Sequence, residues 1–382
     1  MTFGRRNLRG VFVAAALVAS ILVAAPSVSA VTPMSPIRVA TQLKTNGVET
    51  STVAPSITVY CPGSNCNVND YWVMAYIASN GTNDILVSTS TNKGSTWSTV
   101  NTGLQSKMTP SITQDQGLGC GELVIAYVAD NSTNDLLTTT STNGGANWNA
   151  PTLVGGSSSP QSSKTAPAIT GWDGDETDNS NDLIMAYVAN DSSNTLIVTQ
   201  GSPNTSCSAE TFPSYATVGS PAQSSKTAPS ISLLGIIAYV ANNSSNDLIV
   251  TTSSNGEGTD WSSPALVGSP AQTSKTAPTI SWDFSYDPDA VVLAYVANNS
   301  NNHLLVTTSP NMQGTDWTPS AWVDKSASSQ AAPALPNTLY YRSIPMVCIA
   351  NNSKDHLLLM TSKNAGSTWS GSSKIEDGPR AE

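Results

Sequence analysis

Apolar and polar positions alternate in short bursts along most of this chain. From Ala238 to Trp261 the sequence reads AYVANNSSNDLIVTTSSNGEGTDW, and from Ala294 to Trp317 it reads AYVANNSNNHLLVTTSPNMQGTDW. In the first copy Leu248, Val250 and Thr252 alternate with Ile249 and Thr251, the two-residue period of a strand. The Ala-Tyr-Val/Ile-Ala core recurs at Ala75, Ala126, Ala186, Ala238 and Ala294, and an altered copy starts at Val347 with Cys348 in place of Tyr. A short Pro-led strand precedes each copy, from Ala54, Thr109, Ala166, Ala228, Ala277 and Ala332. The period, roughly 50–60 residues, suits propeller blades better than helical solenoids.

Each unit reads as four strands. In the fourth they are predicted near Pro229–Leu234, Ile236–Ala241, Asp247–Ser253 and Trp261–Val267. No stretch after residue 30 has the 3.6-residue period of a helix. Six units, at about 52–106, 107–163, 164–225, 226–274, 275–329 and 330–376, predict an all-β fold: a six-bladed β-propeller of four-stranded antiparallel blades. The alternative, an open stack of β repeats, would need caps at both ends, and none is visible. Ring closure is expected from Arg38–Leu43 pairing with the last blade, with Trp369–Ile375 as that blade's own fourth strand.

The turn between the third and fourth strands carries a specific signature. Ser90-Thr91-Asn92-Lys93-Gly94-Ser95-Thr96-Trp97 has the form S-x-N-x-G-x-x-W, repeated at Ser141–Trp148 and Ser362–Trp369, with one-residue expansions at Ser253–Trp261 and Ser309–Trp317. The third unit keeps only Ser202-Pro203-Asn204 and Phe212. These strings resemble the Asp boxes, or BNR repeats, of the sialidase-like propeller superfamily. That resemblance implies a structural role for the Trp residues, on the face away from the ligand site. The Asn accepts turn hydrogen bonds, the Gly takes a left-handed conformation, and the Trp packs the hairpin onto its blade.

If those turns lie on one pole, the second-to-third-strand loops and the connections between blades share the other. The loops place Asn83-Asp84, Asn134-Asp135, Asn194-Thr195, Asn246-Asp247, Asn302-His303 and Asp355-His356 at equivalent positions. The connections place Lys107, Lys164, Lys226 and Lys275 there, with Thr52 and Gln330 in the other two units. An amide, a carboxylate and an ammonium together supply donors and acceptors for sugar hydroxyls. The competing explanation is plain turn chemistry, with Lys neutralising a neighbouring Asp. Tyr76, Tyr127, Tyr187, Tyr239 and Tyr295 are expected to form a packing ring between blades, with sugar stacking as the alternative. His303 and His356 share one loop position in adjacent blades, as replacements for Asp or as a metal pair.

The first thirty residues read as a secretory leader. Arg5, Arg6 and Arg9 precede an uncharged apolar run, Val11–Ala25, and Val28-Ser29-Ala30 fits a small-residue cleavage site. The leader holds three of the 16 basic residues and no acid, leaving 13 basic against 26 acidic residues and a formal charge of −13. Nucleic acid and anionic membrane are disfavoured as partners by that charge. Extracellular or cell-surface glycans suit the neutral-polar, Ser/Thr/Asn/Gly-rich surface. A Cys61–Cys66 disulfide is expected across CPGSNC, Cys120 with Cys207 is an open pairing, and Cys348 reads as a buried thiol. No cofactor is expected, although Asp173, Asp175 and Asp178 bring oxygen ligands close enough for calcium, with a solvated hairpin as the alternative. The sequons Asn80-Gly81-Thr82 and Asn131-Ser132-Thr133 would accept glycans in a eukaryotic secretory pathway.

The superfamily resemblance also implies catalysis by three arginines, a Tyr–Glu pair and an Asp. Past the leader the chain has Arg38, Arg342 and Arg380, and none stands in the superfamily's Arg-Ile-Pro element near the start. Lys does not replace the bidentate Arg–carboxylate contact. The resemblance therefore extends to the fold, and no catalytic residue is carried over. The best-repeated loops are the ones on the pole opposite the Trp hairpins, which suits several equivalent weak sites acting by avidity. The reading is a secreted, non-catalytic, lectin-like propeller. A divergent exo-glycosidase using Glu122, Glu210 or Glu257 with a retained Arg is the first alternative, and a structural or protein-interaction propeller the second.

Overall fold

The computed structural model describes residues 41–42, 49–61, 71–115, 122–172, 182–201, 211–253, 258, 260–283, 290–311, 313–324, 327–339 and 343–376. The leader, Arg38, Arg342, Arg380, Glu210, Glu257, Cys66, Cys120, Cys207, Asp173, Asp175 and Asp178 lie outside them.

Blade 1 comprises β2 (Ser56–Tyr60), β3 (Tyr71–Ile77), β4 (Asp84–Ser90) and β5 (Ser98–Gln105), with a short β1 (Thr41–Gln42) on its outer edge. Blade 2 is β6 (Ser111–Asp115), β7 (Glu122–Val128), β8 (Leu136–Ser141) and β9 (Thr152–Leu153). Blade 3 is β10 (Ala168–Trp172), β11 (Asp182–Val188), β12 (Leu196–Gln200) and β13 (Ser214–Thr217). Blade 4 is β14 (Ser230–Ile231), β15 (Ile236–Val240), β16 (Leu248–Thr252) and β17 (Ala265–Leu266). Blade 5 is β18 (Thr279–Asp283), β19 (Ala290–Val296), β20 (Leu304–Ser309) and β21 (Ala321–Trp322). In blade 6 the inner strand shrinks to a bridge, Ala334 to Val347. Its continuation β22 (Thr338–Leu339) runs parallel to β18 of blade 5. The blade is completed by β23 (Ile344–Ile349), β24 (Leu357–Ser362) and β25 (Ser373–Lys374). Within every blade successive strands are antiparallel, and the innermost strands touch their neighbours around a closed circle. The molecule is an all-β, six-bladed propeller.

The apolar runs follow from this arrangement. Each blade is covered on both faces, so its second strand is buried throughout while still alternating in direction. Trp72, Met74 and Tyr76 of β3 pack toward blade 6, against Val347, Ile349, Leu357 and Leu359. Val73, Ala75 and Ile77 pack toward blade 2, against Ile112, Leu123, Ile125 and Tyr127. Four further clusters repeat this between the remaining neighbours.

The Ser-Asn-Gly-Trp hairpins close the third and fourth strands as expected. Asn92 Oδ1 accepts from Thr96 N at 2.8 Å, and Ser90 Oγ accepts from Gly94 N at 2.8 Å. The indole N–H groups of Trp148, Trp261 and Trp369 donate to the carbonyls of Gly145, Gly258 and Gly366. Gly94 has φ +83°, and a Cβ there would stand 2.3 Å from Leu359 Cδ2 and 2.9 Å from the Trp72 ring. Gly94→Ala is expected to cost about 2–3 kcal/mol through strain and overpacking. Gly81→Ala, at φ +78° in open space, should cost only about 1 kcal/mol. Urea midpoints of the two variants check the difference.

The ring closes differently from expectation. Thr41 and Gln42 pair with Asn101 and Val100 of β5, in the first blade rather than the last. The eight-residue β5 offers a long outer edge for that pairing, whereas the fourth strand of the last blade, β25, is two residues long. There β25 supplies the fourth strand, and Glu49 fills the remaining place: Glu49 N donates to Ile375 O (2.9 Å), Leu357 N donates to Glu49 O (2.9 Å), and Ser51 N donates to Asp355 O (3.1 Å).

The centre of the ring is occupied. Asn337, in blade 6, donates its side-chain amide to the carbonyl of Ile169 in blade 3 at 2.5 Å. Three places separate those blades in a circle of six, so the bond spans the axis. Around it the inner strands are stitched by hydroxyls: Ser56, Ser111, Ser230 and Thr279 accept from Ile112 N, Ile169 N, Ile280 N and Leu335 N.

Cys348 is a free, buried thiol that burial pushes up to about 12. Cys61 is disulfide-bonded. Among the described residues no helix is long and apolar enough to cross a membrane.

Candidate functional site

Strand direction puts both polar motifs on one pole. β4, β8, β12, β16, β20 and β24, the third strands of their blades, each leave the Asn-bearing loop and run toward the turn into the fourth strand, so the two turns lie at opposite ends of the same strand. The Lys-bearing connections then knit neighbouring Asn loops together. Ser163 N donates to Asn134 O of blade 2, while Lys164 N donates to Val188 O of blade 3. Ser225 with Lys226 and Ser274 with Lys275 repeat this at the next two boundaries.

The side chains meet as well. Lys164 Nζ donates to Asn194 Oδ1 at 2.8 Å, Lys226 Nζ to Asn246 Oδ1 at 2.7 Å, and Lys275 Nζ to Asn302 Oδ1 at 2.8 Å. Lys107 Nζ approaches Asn134 Oδ1 at 3.5 Å and also donates to the carbonyl of Asn131. An ammonium has three N–H groups. Among the described residues Lys226 and Lys275 each use one on the asparagine, which leaves donors for solvent or ligand.

Turn chemistry explains part of the pattern. Asn83, Asn134, Asn194, Asn246, Asn302 and Asp355 all have positive φ, between 51° and 58°. Asn and Asp tolerate that left-handed conformation better than other non-glycine residues. The amides are thus set first by the loop, and the lysines use what the loop presents. The carboxylates are partly committed too. Asp135 accepts from Asn131 Nδ2 at 2.8 Å, Asp247 from Asn243 Nδ2 at 2.8 Å, and Asp84 from Asn101 Nδ2 at 3.2 Å. His303 Nδ1 lies 3.3 Å from Asn299 Nδ2.

Asp130 joins the cluster unforeseen. Its carboxylate accepts from Asn83 Nδ2 of the neighbouring blade at 2.9 Å and stands 4.0 Å from Lys107 Nζ. The signal was a lone acid where four of the other five units have Asn190, Asn242, Asn298 and Asn351, and the first has Ser79. Trp322 was missed as well. It is about half exposed and stacks on His303, with ring centroids 4.0 Å apart.

The tyrosines of the second strands are walls, as expected. Tyr76, Tyr127, Tyr187, Tyr239 and Tyr295 are at most 2% exposed. Tyr187, Tyr239 and Tyr295 donate to Gln161, Gln223 and Gln272 at 2.8, 3.0 and 2.7 Å. Those Gln residues occupy one position in the QSSKTAP-type connections. The first blade has Glu49 at that position, and Tyr76 donates to its carboxylate.

No group of three or more His, Cys, Asp or Glu among the described residues could hold a metal ion. His303 and His356 sit in separate blades, and His303 pairs with Trp322 rather than with a second imidazole. Glu122 is fully buried on β7.

No protein-family model matches the sequence, and no curated relative matches it. Solved structures do match in fold. The six-bladed, fucose-recognising fungal lectin of Aleuria aurantia superposes with a TM-score of 0.58 at 12% identity over 88% of this chain and 99% of that one. The NanB sialidase of Streptococcus pneumoniae gives 0.55 at 12% identity over 90% of this chain and 71% of that one. The α-L-arabinanase of Penicillium chrysogenum gives 0.51 at 12% identity over 89% and 98%. At such identities the likeness is one of fold: this chain has the architecture shared by lectin and sialidase-like propellers.

Proposed function

We propose that the chain is a secreted, non-catalytic carbohydrate-binding propeller whose repeated sites lie on the pole opposite the Trp hairpins. One observation carries the reading: the Lys–Asn pair recurs at 2.7–2.8 Å in three successive blades, on the same pole. Three near-identical exposed donor–acceptor pairs suit a ligand with repeated hydroxyls. Several weak sites on one face gain by avidity when that ligand is displayed on a surface. The hairpins have the Asp-box form, which accords with their keeping to the other pole. The lectin neighbour supports a carbohydrate ligand by analogy of fold.

The second reading, a glycoside hydrolase, draws on the sialidase and arabinanase neighbours. The chain across the axis favours peripheral binding over it: Asn337 lies where a single central active site would need open space. Secretion follows from the leader sequence and belongs to the same proposal.

A glycan array, run beside a fluorogenic sialoside assay, tests the reading. Surface-dependent binding without turnover is the expected result; turnover with a silent array would overturn it. The triple variant Lys164→Ala, Lys226→Ala, Lys275→Ala should lose on the order of 10²-fold in avidity on the array. Its urea midpoint should move little, because exposed pairs contribute about 0–1 kcal/mol each.

A further inference from the structure

Among the described residues the exposed large apolar side chains are Tyr215, Leu266 and Trp322. All three lie on outermost strands. The outer strand of each blade places one residue at a common register: Asn101 opposite Leu86, Leu153 opposite Leu137, Thr217 opposite Ile197, Leu266 opposite Ile249, Trp322 opposite Leu305 and Lys374 opposite Leu358. Each sits beside the residue that follows the left-handed Asn or Asp. In blade 1 those two side chains touch, Asn101 on Asp84. In blade 5 the same pair is Trp322 on His303, tilted by 38° at 4.0 Å. Leu266 has no π face, and Tyr215 lies two residues nearer the other pole, opposite Thr199.

Among the described residues blade 5 is therefore the one that exposes an indole, at the rim of the Lys–Asn pole. Leaving that much apolar surface wet forgoes burial free energy, and the His303 ring covers only one of its faces. The His303 ring lies against one face of the indole, centroids 4.0 Å apart, and Asn299 Nδ2 stands 3.3 Å from His303 Nδ1. The preceding residue, Asn302, holds the Lys275 ammonium at 2.8 Å. An apolar plate at the rim of a donor-bearing pole matches a pyranose, which has an apolar C–H face and a rim of hydroxyls.

We propose that Trp322 forms the principal saccharide site of the ring: a pyranose lays its C–H face on the indole face that His303 leaves open, and the His303 ring, against the other face, positions the indole. This rests on the glycan-binding reading and makes the other blades auxiliary. The test is a glycan array with wild type, Trp322→Phe, Trp322→Ala and His303→Ala, with urea midpoints measured alongside. Wild type should bind. Trp322→Phe should stay within about three-fold, Trp322→Ala should fall at least about ten-fold, and His303→Ala should fall by a smaller factor. Unchanged binding by Trp322→Ala and His303→Ala would overturn this inference and leave the glycan reading standing. A wild-type protein that binds no glycan would overturn both. If Trp322→Ala shifts the midpoint, His303→Ala, in an exposed loop, decides the question.

Discussion

Raising the pH above 10 is expected to unfold the ring steeply. Tyr76, Tyr127, Tyr187, Tyr239 and Tyr295 are sealed between blades. Burial pushes all five hydroxyls above their ordinary value of 10.0, and the Glu49 carboxylate pushes Tyr76 further. In the unfolded chain each would ionise near 10; in the fold each stays protonated to higher pH. The unfolded state therefore loses protons first, and stability falls as pH rises through that window. Below pH 10 the full stability is present. Above it each tyrosine removes about 1.4 kcal/mol per pH unit, and five acting together remove about 7. A domain with the usual 5–15 kcal/mol would then unfold within about two pH units. Urea midpoints from about pH 8 to 12, followed with tyrosinate absorbance, test this. The unfolding transition should carry a step in tyrosinate absorbance, and Tyr187→Phe should flatten the slope by about one fifth. A urea midpoint that stays level between about pH 10 and 12 would defeat the prediction.

Cutting the chain before Thr52 should be the most damaging small change. It strips backbone partners from Leu357, Ile375 and Asp355. It also removes the buried carboxylate that accepts from Tyr76 and from Thr99, the latter at 3.2 Å. Three net hydrogen bonds at about 1 kcal/mol, plus unsatisfied buried groups at about 1–3 kcal/mol each, predict a loss of roughly 4–9 kcal/mol. Glu49→Gln should change stability by no more than about 1 kcal/mol, because Gln161, Gln223 and Gln272 already perform this task. Urea unfolding of both proteins checks the contrast. A Glu49→Gln protein as unstable as the truncated one would show that the negative charge itself is required.

How far the sequence could be read varied with the kind of constraint. The hairpins were legible because Gly94 and Asn92 answer local backbone demands that do not depend on the rest of the fold. The tyrosine wall was legible as an apolar run too long for a strand with a wet face. Closure was misplaced. Glu49-Thr50-Ser51-Thr52-Val53-Ala54-Pro55 is a worn copy of Gln223-Ser224-Ser225-Lys226-Thr227-Ala228-Pro229. Its meaning depends on the final blade, some three hundred residues away, and Arg38–Leu43 looked more like a strand. At the polar pole the sequence named the lysines and amides but not their partners. Asp130 and Trp322 were hidden because each departs from its repeat, and a search for sameness discards departures.

The amide of Asn337 reaches across to the backbone of the opposite blade. A solute passing from one pole to the other along the axis would have to part that bond first. The two poles can therefore evolve as chemically separate surfaces.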